Sequence, residues 1–257
     1  MKTEFAIWMV SYLIRKGPDT QENIINEWSK HINEDVEIHR NTFGNYKRKA
    51  EELFGTEILY NPVTKEYSIE DKNLINHNAM YKWLLQSVSA SNVISRRTRL
   101  KERIMLETSS GGEEFIETIT EAMEKGLCIE LVYEAFWDEP KERTIEPYYI
   151  KLFKRRWYLI GKRRDTGEFR TYCFDRIKSV SLSDIKFKFK KEQNAETLFY
   201  DYYGIIQYSV KKERVIIKVT CEQGMYIKTL PLHHSQKLIH QDNDYMTFEL
   251  YLKPCYD

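Results

Sequence analysis

The sequence predicts an α+β chain of several domains. Three observations lead there. The first 71 residues space their apolar side chains at helical intervals and close on a hairpin pattern. From Leu127 the apolar period drops to two. Beyond residue 190, strand-like and helix-like stretches alternate. The boundaries that follow are 1–71 for a helical unit with a hairpin, 72–126 for a helical linker, 127–190 for a small β unit and 191–257 for a partial α/β extension.

In residues 3–15, Phe5, Trp8, Met9, Tyr12 and Leu13 give a helix with one apolar face, stopped by Gly17-Pro18. Asp19 is placed to cap a second helix, with Glu22 completing a capping box. Ile24, Ile25, Trp28 and Ile32 form its buried face, and the acidic turn Asn33 to Glu37 follows. A third helix runs over 38–54 and buries Phe43, Ala50 and Phe54 before Gly55 ends it. Ile58 and Tyr60, then Asn61 to Lys65, then Tyr67 and Ile69 alternate around a turn as a hairpin does. Three short helices followed by a hairpin is the order of a winged helix-turn-helix, whose third helix enters the major groove. The exposed face of that helix carries Asn41, Asn45 and Arg48, with Arg40, Thr42, Lys47 and Lys49 at its margins, all types that bond to bases or phosphates. Lys65, near the hairpin tip, is placed to reach a phosphate. Acids outnumber bases 13 to 9 over residues 1–71, so a small helical assembly domain stays open as an alternative.

Residues 74–106 read as helical, and Arg96 to Arg103 form a basic run that is either a solvated face or a second backbone contact. Ser109-Ser110-Gly111-Gly112 reads as a linker. Phe115, Ile116, Ile119 and Met123 make a further helix ending at Gly126. The β unit then has about five strands, at 127–133, 143–153, 156–164, 168–174 and 177–189, with tight turns at Lys154-Arg155 and Asp165-Thr166-Gly167. Five short strands so joined predict a small barrel, because closure removes exposed edges. Between Glu146 and Asp165 there are seven Lys or Arg and no acid, and Arg170 and Arg176 follow. On charge alone this is either a solvated sheet face or a site for an anion, which guanidinium forks bind bidentately.

Arg156-Trp157-Tyr158-Leu159, the run Arg170 to Ile177 and the upstream Arg143-x-x-x-Pro147 together resemble the WYL domain family. The stretches Arg103 to Glu107 and Pro231 to Gln236 are similar to the flanks of bacterial WYL regulators, so the likeness covers nearly the whole chain. The resemblance implies an Sm-like barrel that binds nucleic acid or a nucleotide-derived signal, an N-terminal helix-turn-helix and a homodimer. By position it implies ligand contacts from Tyr133, Arg143, Arg156, Tyr158, Arg170 and Arg176. Trp157 and Leu159 are expected to pack in the core, and Asp175 to orient Arg176. The chain departs from some relatives at Ala135, where they have Ser, and at Tyr148, where they have His.

Phe199, Tyr200, Tyr202 and Tyr203 are expected to cover the barrel or the next domain. Residues 213–220, 225–230 and 245–252 read as strands, with a short helix at 234–239. Relatives continue further, so the ending at Asp257 reads as a truncated or unusually short form. Cys128, Cys173, Cys221 and Cys255 are widely spaced, which fits buried thiols in a reducing compartment and no disulfide framework or zinc ribbon. His233, His234 and His240 match no metal spacing and read as structural. No catalytic, metal or cofactor motif is present, and no apolar segment reaches 18 residues. Net charge is +1, so electrostatics must act locally. The expectation is a cytoplasmic, non-enzymatic, homodimeric transcriptional regulator that binds a double-stranded DNA operator and senses a nucleotide or single-stranded nucleic acid. The alternative is a single-stranded nucleic-acid-binding accessory protein whose helical domain serves assembly.

Overall fold

The computed structural model describes residues 2–32, 38–96, 103–105, 107, 110–189, 198–205 and 210–255. They fall into two compact units, residues 1–107 and 108–257.

In the first unit, α1 (Lys2–Lys16) is buried on nearly every side, from Phe5 to Val10 and at Tyr12 and Leu13. The one-faced helix expected from spacing is therefore a central helix. Helix α2 (Gln21–Ile32), helix α3 (Arg40–Phe54) and a later helix surround it. Aromatic rings fill the centre: Phe5 meets Trp28 edge-on at 5.2 Å and Phe43 at 6.1 Å. Gly55 ends α3 in the left-handed region at φ 59°, and its N–H bonds the Glu51 carbonyl. Strands β2 (Ile58–Asn61) and β3 (Glu66–Ile69) form the hairpin, and Asn61 Oδ1 accepts from Val63 N at 2.9 Å inside its turn. A two-residue strand, β1 (Asp19–Thr20), joins β3 to complete a three-stranded antiparallel sheet in the order β1-β3-β2.

Two expectations are corrected here. Asp19 does not cap α2. Its carboxylate is buried and accepts from Tyr12 Oη (2.6 Å), Lys16 Nζ (2.5 Å), Asn23 Nδ2 (2.8 Å) and Thr20 N (2.9 Å), while Thr20 Oγ1 takes the capping bond from Asn23 N at 3.3 Å. The expected helix over 74–106 is broken into α4 (Lys72–His77) and α5 (Ala79–Arg96). Asn78 stands between them in extended backbone, and its side chain accepts from Tyr81 N at 3.1 Å, capping α5. Most of the basic run from Arg96 to Arg103 lies outside the described residues, as do the acidic turn 33–37 and Ser109.

The second unit opens at Gly112, which is a packed position more than a linker. Its φ is 91°, and a Cβ there would stand 2.6 Å from the backbone of Phe174. Helix α6 (Ile116–Lys125) ends at Gly126, φ 65°. Five antiparallel strands follow: β4 (Leu127–Tyr133), β5 (Lys141–Phe153), β6 (Arg156–Arg163), β7 (Phe169–Cys173) and β8 (Ile177–Lys186), in the spatial order β7-β6-β5-β4-β8. Lys154 and Arg155 both take positive φ, as the tight β5–β6 turn requires. Bulges interrupt β4–β8 and β5–β6 and bend the sheet.

The expected barrel does not close: among the described residues the edge strands β7 and β8 share no ladder. Yet only the short turn Phe174–Arg176 separates these two edges, so the sheet must curl strongly. Side chains occupy the seam. The Tyr133 hydroxyl accepts from Cys173 N at 3.2 Å, satisfying a donor that closure would have paired, and Phe174 is fully buried beside it. Ile119 and Ala122 of α6 pack with Ile129, Leu131, Ile145, Leu159 and Phe174 to form the core.

A second antiparallel sheet is formed by β9 (Glu213–Thr220), β10 (Lys237–Gln241) and β11 (Tyr245–Leu252), in the order β10-β11-β9. The strand expected at 225–230 is instead almost all in helix α7 (Cys221–Thr229), and the helix expected at 234–239 is absent: 234–236 are turn or irregular and 237–239 belong to β10. Thr220 caps α7 through Gln223 N (3.4 Å), and Gly224 lies so close to Met246 that a Cβ would meet its sulfur at 2.5 Å. This local cap and the tertiary approach of Met246 together outweigh the β-propensity of Met225-Tyr226-Ile227. No helix among the described residues is long and apolar enough to cross a membrane.

Candidate functional site

Alternation along the strands sorts the basic residues into two faces. Ile129, Leu131 and Tyr133 of β4, Ile145 of β5, Leu159 of β6 and Tyr172 of β7 share the core face. By the period of two, Arg143, Arg163 and Arg170 belong to that same face. The register pairs Arg143 with Leu131, Arg163 with Ile145 and Arg170 with Gly161, so the three arginines step diagonally across β5, β6 and β7. Gly161 makes room between them: a Cβ there would stand 2.3 Å from Ile145 Cγ2.

Tyr172 sits where this row meets the core. It is 4 % exposed, and its hydroxyl has no hydrogen-bond partner among the described residues. Burial pushes the phenol up to about 12, against the pull of the positive charges of Arg143, Arg163 and Arg170. Tyr133 meets Tyr172 edge-on at 5.1 Å, and the Arg176 guanidinium lies 5.3 Å from the Tyr133 ring and 4.2 Å from that of Phe136. Arg176 Nε is buried and unpartnered among the described residues. Next to Phe136, Trp137 is fully exposed at positive φ (65°). The row is partly neutralised from its own hairpin: Arg163 pairs with Asp165, and Arg170 with Glu168 at 2.6 Å.

Arg156 and Tyr158 lie on the opposite face of β6. Tyr158 is buried against Cys173, Ile205 and Phe153, and burial pushes its phenol up to about 12. Arg156 stands 3.7 Å from Asp175, which therefore faces Arg156. Of the six positions implied by resemblance, the fold groups Tyr133, Arg143, Arg170 and Arg176 and sets Arg156 and Tyr158 apart. Sequence reasoning missed Arg163 and Tyr172. The period of two held the signal, since Leu159, Gly161 and Arg163 alternate onto one face, as do Arg170 and Tyr172. Trp157 packs against the core and Leu159 lies within it. Tyr148 belongs to an aromatic cluster with Phe169 (4.9 Å) and Phe187 (5.6 Å).

In the first unit, Arg40, Asn41, Asn45 and Arg48 are exposed on α3, with Thr42 and Lys47 half-buried. Arg48 donates to Asn45 at 3.4 Å. Lys47 is held 2.7 Å from Glu51, whose Oε1 also accepts from Ile58 N at 2.9 Å. Lys65 is exposed at the hairpin turn with φ 58°.

His233 is buried, with Nε2 against the Tyr200 carbonyl (2.9 Å) and Nδ1 against Ser235 Oγ (2.8 Å), so both ring nitrogens are engaged. No group of three or more His, Cys, Asp or Glu among the described residues could hold a metal ion.

The second unit thus begins as a helix laid on a sharply curled five-stranded sheet with a basic row on one face. Residues 114–182 match the model of the WYL domain, and this segment is a WYL domain. Solved structures similar to the chain include the proteasome accessory factor B/C (PafBC) of Arthrobacter aurescens, at 16% identity and TM-score 0.35, covering 98% of this chain and 41% of that one. Another is described as a CRISPR Cas-related protein, at 14% identity and TM-score 0.32, covering 87% of this chain and 66% of that one. The chain spans less than two thirds of the length of either. No curated protein matches it.

Proposed function

We propose that this chain is a non-enzymatic, DNA-binding transcriptional regulator whose WYL domain binds an anionic ligand, a nucleotide or single-stranded nucleic acid, that modulates operator binding. The observation that carries this reading is the grouping of Arg143, Arg163 and Arg170 around the buried Tyr172 in a WYL domain. In this reading the first unit is a winged helix-turn-helix with α3 as reading helix and the β2–β3 hairpin as wing. Asn41, Asn45 and Arg48 take base edges, while Arg40, Thr42, Lys47 and Lys65 take phosphates. A homodimer presents two reading helices to a palindromic site.

A second reading has its own support. Lys47 and Lys49 are committed to Glu51 and Glu52, and acids outnumber bases 13 to 9 in residues 1–71. It makes the chain a single-stranded nucleic-acid-binding accessory protein whose helical unit serves assembly. Anisotropy titrations of the full chain with duplex and single-stranded oligonucleotides, over a range of salt, separate the two. The regulator requires salt-sensitive duplex binding that weakens in Asn45→Ala and Arg48→Ala. Single-strand binding with no duplex binding at any salt favours the accessory protein.

A further inference from the structure

Resting on the reading of the arginine face as an anion site, the structure carries the chemistry of its ligand one step further. Three guanidinium charges (Arg143, Arg163 and Arg170) meet two carboxylates, Asp165 and Glu168, and both carboxylates sit on or beside the turn that joins β6 to β7. Asp165 and Glu168 are more than half exposed, at 62% and 54% of their side chains. Glu168 holds Arg170 through one oxygen and swings into solvent at small cost. Asp165 grips Arg163 through both oxygens and accepts from Thr166 N at 2.8 Å, so it must be outcompeted by the incoming anion. The Tyr172 hydroxyl is the opposite case. It is buried and unpartnered among the described residues, on the strand and face of Arg170. A buried donor without an acceptor costs free energy, so each one calls for an account of what meets it.

We propose that Arg143, Arg163, Arg170 and the Tyr172 hydroxyl form a subsite for a terminal phosphomonoester, which displaces Asp165 and Glu168 and accepts a hydrogen bond from Tyr172. The charge count selects the monoester. At pH 7 it carries about −1.5 to −2, close to the two carboxylates it replaces, whereas a backbone phosphodiester carries about −1 and would leave the row under-neutralised. Its three terminal oxygens accept from forked guanidinium donors and still leave one for a phenol. The source is a free nucleotide or the phosphorylated end of a nucleic-acid strand.

The test uses the full chain and two thymidylate pentamers labelled at the 3′ end, one with a 5′-phosphate and one with a 5′-hydroxyl. The wild type is expected to prefer the phosphorylated pentamer by about tenfold or more, the worth of a hydrogen bond to a charged group, and Tyr172→Phe to lose most of that preference. Binding of the 5′-hydroxyl pentamer should be the same in both proteins. The thermal midpoint of ligand-free Tyr172→Phe should be equal to or higher than that of the wild type, since the hydroxyl it loses has no partner among the described residues, whereas a structural hydroxyl would lower it. Competition by thymidine 5′-monophosphate distinguishes a free nucleotide, which displaces the pentamer, from a strand end, which does not. Equal affinity of the wild type for the two pentamers, or a preference that survives in Tyr172→Phe, overturns the subsite. If the pentamers nevertheless bind and Arg170→Ala weakens them, the arginine face stands as an anion site of another kind. Absence of all binding overturns both.

Discussion

Asp19 illustrates how one side chain can hold an entire unit together. Burial pushes its carboxyl up, and the bonds from Lys16, Tyr12, Asn23 and Thr20 outweigh that, holding it well below the ordinary 3.8. The group joins α1, β1 and α2 at one point. Asp19→Ala should cost about 2 kcal/mol, because it strands buried donors, and urea denaturation checks it. The sign with pH follows from the lowered value. The unfolded carboxyl binds protons more readily, so the stabilisation is complete above the ordinary 3.8 and is lost as pH falls below it. The acid limb of the stability curve should therefore be shallower in Asp19→Asn. Gly161 is the matching case in the second unit. With Ile145 Cγ2 only 2.3 Å from a built Cβ, Gly161→Ala should destabilise by about 1–3 kcal/mol and weaken anion binding by shifting β5 against β6. Denaturation and a pentamer titration on the same variant test both effects.

Among the elements, α3 and β6 carry the functional argument. Asn41, Asn45 and Arg48 follow one another at four and three residues, so one helical face presents them together. Each base contact is worth about 1–3 kcal/mol, so Asn45→Ala and Arg48→Ala should each weaken operator affinity by about tenfold or more without changing the melting temperature. Lys47→Ala is expected to behave differently. Lys47 pairs with Glu51, which also holds the first strand of the hairpin through Ile58 N, so stability should fall along with affinity. Strand β6 divides the basic residues in a way that the local charge run does not reveal: Arg163 faces the core side, while Arg156 and Tyr158 face the other. Arg156→Ala should leave pentamer affinity close to wild type, whereas Arg170→Ala should lower it, and the same anisotropy titration reads both.

For the whole molecule the proposal requires linkage. A ligand alters operator binding only if its affinity differs between the DNA-bound and free states. Arg170→Ala and Arg176→Ala should therefore abolish the effect of the phosphorylated pentamer on operator affinity while leaving ligand-free operator binding unchanged. An operator gel shift with and without the pentamer measures this. A ligand response that persists in both variants would remove the arginine face from the switch.

The elements were largely legible in the sequence because periodicity and turn chemistry are local. The helical stripe of Phe43, Ala50 and Phe54, the alternation from Leu127 to Tyr133 and the Lys154-Arg155 turn each announce their element within a few residues. Four of the six expected ligand positions are grouped by the fold, and Arg156 and Tyr158 are not. What stayed hidden depends on distant partners. Helix α7 over Met225-Tyr226-Ile227 is set by a cap at Thr220, a Thr-x-x-Gln pattern the sequence did carry, and by the close approach of Gly224 to Met246, which no short window shows. The seam between β7 and β8 is held by Tyr133, forty residues from the Cys173 N–H it satisfies. The chain's own residues thus determined most of the helices and strands before residue 190 and where the basic side chains fall along them. Tertiary packing decided which strand faces come together, that β7 and β8 share no ladder among the described residues, and that the Tyr172 hydroxyl is buried with no partner among them. Period and turn type act over a few bonds, whereas register, curvature and burial exist only once strands distant in sequence lie side by side.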